Sequence, residues 1–198
     1  MTTPRQSFSR EQPDDRRQSL IEATSVCLAR YGASGTSVRA ICREAGVSAG
    51  LLRYYFRSID AVIEAAYRQT GERVQAALDA AVAKANTPRA RLLAYITASF
   101  APPISDPQLL STWLAFWSLT KSSPAIAAAH SDIYRESRTA MERLIADVAP
   151  KSNDHRLMAI ALTALVDGLW LELSLGDAPF TSLEAAAIAE QFLDTVIN

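Results

Sequence analysis

Residues 44–56, EAGVSAGLLRYYF, place hydroxyl, guanidinium and phenol groups on two short helical patterns joined by a Gly-Val-Ser turn. Ser48 and the free backbone N–H groups behind it can donate hydrogen bonds to a phosphate. The small side chains of Ala49 and Gly50 let another molecule approach the second helix closely. Arg53 can read guanine through its bidentate fork or hold a phosphate, and the sequence leaves both roles open. This combination is typical of a surface that binds nucleic acid.

The apolar spacing in the same stretch predicts a helix-turn-helix. Two helices joined by a short turn containing glycine form this motif when the first crosses the DNA backbone and the second lies in the major groove. Gly46 fits the turn because a residue without Cβ can adopt the left-handed conformation that ends a helix. The inward-facing set is Ile41, Ala45, Val47, Leu52 and Tyr55. The alternative is an ordinary helical hairpin, in which Tyr54 and Phe56 fill a core and Arg53 is a solvated charge.

A second group of residues combines aromatic rings with acids. Its aromatic members are Trp113, Phe116, Trp117 and Trp170. Two of the tryptophans are four residues apart and therefore share a helix face. Rings around an acid can hold a quaternary ammonium, which binds through cation–π attraction with a carboxylate as counter-charge. Asp167 or Glu172 can supply that carboxylate. The alternative is an aromatic core between helices, with Asp167 as a local cap.

Helices must position both groups. Apolar residues recur at intervals of three and four along the chain, with no alternating strand pattern of useful length and no internal repeat. Gly and Pro residues separate the helical segments. We therefore predict an all-α fold of about nine helices, near residues 14–31, 37–45, 49–56, 60–85, 88–100, 109–122, 124–148, 154–176 and 182–196.

The composition argues against several classes of protein. With 198 residues and 49% hydrophobic content, the chain can bury a core without disulfides or metals. Cys27 and Cys42 lie in apolar helical patterns, which favours reduced core residues. With two histidines, no Gly-rich phosphate loop and no clustered ligands, an enzyme has little support, and we expect no cofactor and no metal. Because the N-terminus lacks a signal-peptide pattern and the apolar runs are short, we expect a cytoplasmic protein with no membrane partner.

The net charge of −1 hides an uneven distribution. Residues 1–60 contain nine Arg and Lys against six Asp and Glu, a balance of +3, and the remainder contains eleven against fifteen, a balance of −4. The basic excess therefore lies with the predicted helix-turn-helix, as expected if that end alone meets phosphates. We predict three parts: a flexible arm at residues 1–13, a DNA-binding domain at 14–59 and a larger helical domain at 60–198.

The run TSVRAICREAGVSAGLLRYYFRSIDAVIEAA, residues 36–66, resembles the DNA-binding signature of the tetracycline-repressor family of bacterial regulators. The resemblance implies phosphate contacts, a groove-facing surface and a phosphate-binding aromatic residue. Members often carry lysine where this chain has Ile59, so one phosphate contact is lost and Arg57 is the candidate replacement. The DNA-binding set is then Thr36, Ser37, Ser48, Ala49, Gly50, Arg53, Tyr54 and Arg57.

The segments LLSTWLAFW and ALVDGLWLELSLGDAPF resemble the effector domain of a choline-responsive subgroup of that family, which controls glycine betaine synthesis. The resemblance implies a repressor that leaves its DNA when a small molecule binds, with choline, a quaternary ammonium, as the candidate. The ligand set is Trp113, Phe116, Trp117, His130, Tyr134, Asp167 and Trp170. Two alternatives stay open: a repressor of an efflux or catabolic operon with another ligand, and a helical protein-interaction adaptor.

The last two helices are the candidate dimer interface. A helix-turn-helix needs two copies to reach both half-sites of a pseudo-palindromic operator. Small residues on these helices allow two helix pairs to pack closely as an intersubunit four-helix bundle. The predicted interface residues are Leu165, Gly168, Leu169, Ala186 and Ala189. The alternative is that these helices belong to the core of one chain.

Overall fold

The computed structural model describes residues 13–197, so the predicted arm lies almost entirely outside the described residues. Within 13–197 the chain forms nine α-helices and no strand, which confirms the all-α prediction. The helices are α1 Pro13–Gly35, α2 Val38–Glu44, α3 Ala49–Tyr55, α4 Ile59–Val82, α5 Pro88–Ala98, α6 Pro107–Leu119, α7 Pro124–Val148, α8 His155–Leu175 and α9 Ser182–Ile197.

Several helix boundaries differ from the sequence prediction by two to four residues, and two of these differences have a clear physical reason. In α1 the regular helix is interrupted at Gly32, which has φ 65° and ψ −174°, and a short helical piece continues to Gly35. Helix α6 begins at Pro107 because the Asp106 carboxylate caps it, accepting hydrogen bonds from the backbone N–H of Gln108 at 2.9 Å and Leu109 at 3.1 Å. A proline at the first helical position loses no hydrogen bond.

Serine side chains begin the three helices that surround the helix-turn-helix. Their hydroxyl oxygens accept hydrogen bonds from backbone N–H groups three residues ahead: Ser37 from Ala40 at 3.2 Å, Ser48 from Leu51 at 3.3 Å and Ser58 from Ala61 at 3.1 Å. Each bond satisfies a donor that the helix itself leaves without a partner. The caps therefore fix where α2, α3 and α4 start.

The turn between α2 and α3 depends on Gly46. Its φ of 65° lies in the left-handed region, where a Cβ would be strained. The Gly46 N–H donates to the Arg43 carbonyl at 3.4 Å, and the Val47 N–H donates to the Cys42 carbonyl at 2.9 Å. These are the two bonds of a Schellman motif, which satisfies carbonyls at the end of α2 and turns the chain toward α3.

One hydrophobic core runs through both predicted domains. Helix α1 covers α2 and also packs along α6, where the Thr112 hydroxyl donates to the Ser25 carbonyl at 3.3 Å. Helix α4 packs against α1, α5 and α7. The DNA-binding end is thus joined to the rest of the protein by two helices, and the boundary near residue 59 is not a gap in the core.

Candidate functional site: DNA-binding surface and ligand cavity

Helix α3 separates an inward face from an outward one. Leu52 and Phe56 are buried, whereas the Tyr54 side chain is 80% exposed and contacts the half-buried Tyr55 edge-on at 5.0 Å between ring centroids. Tyr54 therefore does not fill a core as the hairpin alternative expects, whereas Phe56 is buried and Arg53 is exposed as that alternative also expects. The remaining predicted residues that are exposed around this helix are Ser37, Ser48, Ala49, Gly50, Arg53 and Arg57.

Thr36 is the exception in the predicted DNA-binding set. Its side chain is buried, and its hydroxyl hydrogen is donated to the Gly32 carbonyl at 2.8 Å. A hydroxyl has one hydrogen to donate, so Thr36 as placed cannot donate to a phosphate. The prediction for Thr36 is corrected to a structural role at the end of α1. The neighbouring Ser37 keeps an exposed hydroxyl with a hydrogen available.

Two arginines of α2 extend the basic surface beyond the predicted set. Arg39 and Arg43 are exposed and four residues apart, so they share one helix face. Within residues 13–197, none of Arg39, Arg43, Arg53 and Arg57 forms an ion pair. Four guanidinium groups are therefore available to an external anion. The i, i+4 spacing of Arg39 and Arg43 on the first helix of the motif can be seen in the sequence.

A cavity of about 430 Å³ lies between α4, α5, α6, α7 and α8. Four of the seven predicted ligand residues line it: Trp113, Tyr134, Asp167 and Trp170. Phe116, Trp117 and His130 do not line it. Glu172 is exposed and also lies outside the lining, which leaves Asp167 as the carboxylate next to the rings.

Trp113 and Trp170 form a corner in the cavity wall, which we call the aromatic corner. Their ring centroids lie 6.0 Å apart with an angle of 82° between the ring planes. The Trp170 indole N–H donates to the Ser99 carbonyl at 2.7 Å, which fixes the orientation of that ring. Both side chains are buried. The corner is therefore held in place by packing and by a hydrogen bond within the chain.

Asp167 supplies a carboxylate beside the aromatic corner. The Tyr134 hydroxyl donates to Asp167 Oδ1 at 3.3 Å. Desolvation by burial raises the pKa of Asp167 to about 6, and the bond from Tyr134 and the charge of Arg138 oppose that rise. At neutral pH the carboxylate is ionised but poorly hydrated, so a cation that lacks a tight hydration shell is a favourable partner.

Aromatic residues behind the cavity support its wall. The Tyr67 ring of α4 stacks on Phe116 with 4.3 Å between ring centroids, and the Tyr67 hydroxyl shares a hydrogen bond of 2.8 Å with His130 Nδ1. The His130 ring in turn lies 4.3 Å from the ring of Tyr134. Burial lowers the pKa of His130, which keeps the imidazole neutral at pH 7. The indole N–H of Trp117 is buried without a hydrogen-bond partner among the described residues.

The cavity also uses residues that the sequence did not single out. They are Arg68, Gly71, Glu72, Val74, Gln75, Ala76, Leu78 and Asp79 of α4, Tyr95 and Ser99 of α5, Ile104, and Asp132, Ile133, Glu136, Ser137 and Met141 of α7, with Thr163 and Val166 of α8. Helices α4 and α7 approach closely here, because a Cβ on Gly71 would meet Ile133 Cδ1 at 3.0 Å. Nothing in the local sequence distinguishes these residues from ordinary helix surfaces.

The predicted interface residues divide between two faces. Leu169 and Ala189 are buried within the chain, so the prediction for these two is corrected to core packing. Leu165 and Ala186 are half-buried, and Gly168 is exposed with no atom within 4 Å of its ideal Cβ position. The large apolar side chains exposed on these helices are Leu157, Ile160, Leu171 and Leu175 of α8 and Leu183 and Ile188 of α9.

Helix α8 is long and apolar enough, by length and composition alone, to cross a membrane. Helices that pack in a protein core pass the same test, so the expectation of no membrane partner stays a prediction. In this fold α8 packs against α6, α7 and α9 and directs Asp167 toward the cavity. Only 22% of the apolar window of α8 is buried within the chain, and Leu157, Ile160, Leu171 and Leu175 are exposed.

Comparison with known proteins agrees with the geometry of both ends. Residues 20–66 match the model of the tetR family of bacterial regulatory proteins, and residues 88–198 match the C-terminal domain of BetI-type transcriptional repressors. The chain is 31% identical over 195 residues to the HTH-type transcriptional regulator BetI of Proteus mirabilis, and 33% over 181 residues to that of Pectobacterium carotovorum. The alignments cover 92% of both chains in the first case, and 90% of this chain and 92% of the relative in the second.

Solved structures share the fold. A transcriptional regulator from Pseudomonas aeruginosa PAO1 superposes with a TM-score of 0.87 at 41% identity, over 96% of this chain and 94% of its own. A regulator from Saccharomonospora viridis, crystallised in complex with choline, superposes with a TM-score of 0.82 at 20% identity, over 91% and 96%. Fold and site thus define a helix-turn-helix transcriptional regulator. The chain belongs to the tetR family of bacterial regulators and is a repressor of the BetI type.

Proposed function

We propose that this repressor is a cytoplasmic homodimer that binds a pseudo-palindromic operator and releases it when a quaternary ammonium such as choline enters the cavity. The observation that carries the proposal is the half-buried carboxylate of Asp167, which lines the same cavity as the aromatic corner of Trp113 and Trp170. The choline complex of the Saccharomonospora viridis regulator, which has the same fold, supports it.

The chemistry of a trimethylammonium group fits this corner. Such a group cannot donate an N–H hydrogen bond, so it gains affinity from ring faces and from an unhydrated counter-charge. Trp113 and Trp170 present two walls, and Asp167 supplies the charge. The ring of Tyr134 is already in contact with His130 and with the Arg138 guanidinium, 5.6 Å from its centroid, so we assign its hydroxyl to the cavity.

A dimer is supported by the exposed apolar faces of α8 and α9. The side chains of Leu175 and Leu183 are 66% and 84% exposed. With the small exposed residues Ala164 and Gly168 included, the exposed apolar positions of α8 recur at three- or four-residue intervals. A contiguous apolar face of this kind marks a protein interface more often than a free surface. Packing it against a second copy would give the two recognition helices that a pseudo-palindrome requires.

Release of DNA requires that the ligand favour one arrangement of the two recognition helices over another. Helix α4 is the proposed lever because it begins next to α3 and lines the cavity from Arg68 to Asp79. The Tyr67–His130 hydrogen bond joins α4 to the wall behind Asp167. A shift of α4 on ligand binding would therefore move α3 and change the spacing of the two reading helices.

The proposed DNA surface predicts different results for two neighbouring residues. Tyr54→Ala is expected to weaken binding to all sequences, whereas Arg53→Ala is expected to relax one base position by about 1–3 kcal/mol if Arg53 reads guanine. If Arg53 holds a phosphate, its loss instead reduces the slope of the logarithm of the binding constant against the logarithm of the salt concentration by about one. Titrations of operator and scrambled DNA at several salt concentrations separate these results. Arg143→Ala, an exposed arginine on α7, is the control. Unchanged affinity in both variants would exclude α3 as the reading helix.

The raised pKa of Asp167 predicts that cation binding depends on pH. The cation binds the ionised carboxylate, and with a pKa of about 6 the ionised fraction falls as the pH drops through that value. Choline affinity should therefore be constant above about pH 7 and about fourfold lower at pH 5.5. Calorimetric titration across this range measures it. Asp167→Asn should give a flat profile, and a decline that persists in this variant would point to His130 instead.

Calorimetric titration with choline and with its uncharged tert-butyl analogue, 3,3-dimethylbutan-1-ol, tests the ligand assignment. The two molecules have nearly the same shape, so a difference in affinity reports the charge. We expect choline to bind more tightly by at least the cation–π contribution, about 0.5–2 kcal/mol, with the attraction to Asp167 in addition. Equal affinities would remove the quaternary ammonium assignment and leave a repressor with an apolar ligand.

A further inference from the structure

We propose that the cavity accepts an elongated dication, with one ammonium group in the aromatic corner and a second ammonium group at the carboxylates around the cavity mouth. This inference rests on the proposed function, because it uses the same cavity and the same corner. It names a larger ligand than choline. Three observations carry it: the length of the cavity, its continuity between α4 and α7, and the charge of its lining.

The cavity is longer than a compact cation requires. Its lining residues on α4 run from Arg68 to Asp79. At 1.5 Å per residue, this stretch is about 16 Å along the helix axis. The volume of about 430 Å³ lies within the range of cavities that bind drug-sized ligands. Choline beside Asp167 would leave the far part of this space without a ligand atom.

Helices α4 and α7 stay next to each other along the cavity. Gly71 of α4 lies against Ile133 of α7. One turn further along both helices, Gln75 and Ser137 meet at the Tyr95 hydroxyl, which lies 3.4 Å from Gln75 Oε1 and 3.2 Å from Ser137 Oγ. The lining is therefore continuous along α4 and α7 from Gly71 and Ile133 to Gln75 and Ser137, and one linear molecule can follow it.

The lining carries an excess of negative charge. Its acids are Glu72, Asp79, Asp132, Glu136 and Asp167, and its one cation among the described residues is Arg68. The Arg68 guanidinium is already paired, with Glu64 at 3.0 Å and Asp132 at 3.2 Å. We call Glu72, Asp79 and Glu136 the acidic rim. Within residues 13–197, none of the three forms an ion pair.

The acidic rim decides between the possible tails of a long ligand. Its three residues are exposed, so they lie where the cavity opens to solvent. A carboxylate or phosphate tail would be repelled there, and a neutral tail would gain nothing from the charge. A second ammonium group would be attracted, and each solvent-exposed pair of this kind improves affinity by a factor of about two to five. The rim therefore favours a dication.

Calorimetric titration of the full-length protein with three cations tests this inference. The cations are choline, hexyltrimethylammonium, which has one charge on a six-carbon chain, and hexamethonium, which has a trimethylammonium group at each end of the same chain. We expect hexamethonium to bind about fivefold more tightly than hexyltrimethylammonium. In the Asp79→Asn/Glu136→Gln double variant, which keeps Glu72, this advantage should fall to about twofold or less, while choline affinity changes less than about twofold. Both substituted side chains are exposed, and thermal unfolding verifies that the variant folds.

Each contrary outcome has a separate meaning. Equal or weaker binding of hexamethonium than of hexyltrimethylammonium overturns the dication. A double variant that loses choline and hexamethonium affinity by the same factor also overturns it, because the rim then acts only as a long-range attraction. If the parent binds hexamethonium with the expected advantage but does not bind choline, the choline assignment fails and the dication stands. Absence of binding by all three cations overturns both.

Discussion

Replacing Asp167 with Asn is expected to weaken choline binding by about ten- to a hundredfold, because the attraction between the ammonium charge and a partly desolvated carboxylate is lost. Asparagine keeps the shape of the side chain, and its amide oxygen can still accept the hydrogen bond that Tyr134 donates at 3.3 Å. The variant therefore removes the counter-charge and leaves the aromatic corner in place. Isothermal titration calorimetry at pH 7.5, where the carboxylate is ionised, measures the loss.

Glu172→Gln is the matched control for this experiment. It removes the same charge from the same helix, five residues further on, but from an exposed side chain outside the cavity. Choline affinity should change by less than about twofold, which is the size of a screened surface effect. Both variants should bind operator DNA as the parent does. Equal losses in the two variants would mean that choline responds to the overall charge of the protein and does not contact Asp167.

Gly168→Glu is expected to abolish dimerisation at micromolar concentration, and operator binding with it. In one chain Gly168 is exposed with open space around it, so a glutamate fits without collision. Glutamate also favours a helix more than glycine, by roughly 0.5–1 kcal/mol, so the helix itself should become more stable. If the exposed face of α8 packs against a second copy, the same change buries an unpaired charge and costs about 3 kcal/mol or more per buried charge.

The substitution should stabilise helix α8 in a single chain and destabilise the dimer, and this combination of opposite effects makes the prediction specific. Sedimentation velocity over a concentration series measures the dimer, and circular dichroism measures helix content. Ala80→Glu, on the exposed side of α4, is the control and should leave a parent-like dimer. A parent that sediments as a monomer, or a Gly168→Glu protein that remains fully dimeric, would contradict the α8–α9 interface.

Local signals in the sequence were sufficient for the secondary structure. Serine caps, a glycine turn and apolar spacing predict the helices around the reading motif, and the Schellman bonds at Gly46 show why these signals are reliable. The sequence prediction starts α6 near residue 109 rather than at Pro107, because the proline-rich segment before it hides the capping role of Asp106. Such errors at helix ends move a boundary by a few residues and leave the fold unchanged.

The orientation of residues within the fold was harder to predict. Thr36 follows a family pattern in sequence, but its hydroxyl bonds to Gly32 once α1 bends there. Leu169 and Ala189 lie on helices that are apolar on nearly every side, so no polar face indicates which side points outward. Helices α4 and α5 supply part of the cavity wall, although they are distant in the chain from α8, which carries Asp167. Only their packing creates the space that Trp113 and Asp167 share with them.

Release of operator DNA by choline tests the central claim most directly. A fluorescently labelled operator, selected from fragmented genomic DNA, is bound by the full-length protein, and its anisotropy is followed as choline or 3,3-dimethylbutan-1-ol is added. We predict that choline releases the DNA at concentrations that match its calorimetric affinity, that the uncharged analogue requires a much higher concentration, and that Asp167→Asn shifts the choline response by the same factor as its binding. Operator that stays bound when the cavity is saturated with choline would contradict the account.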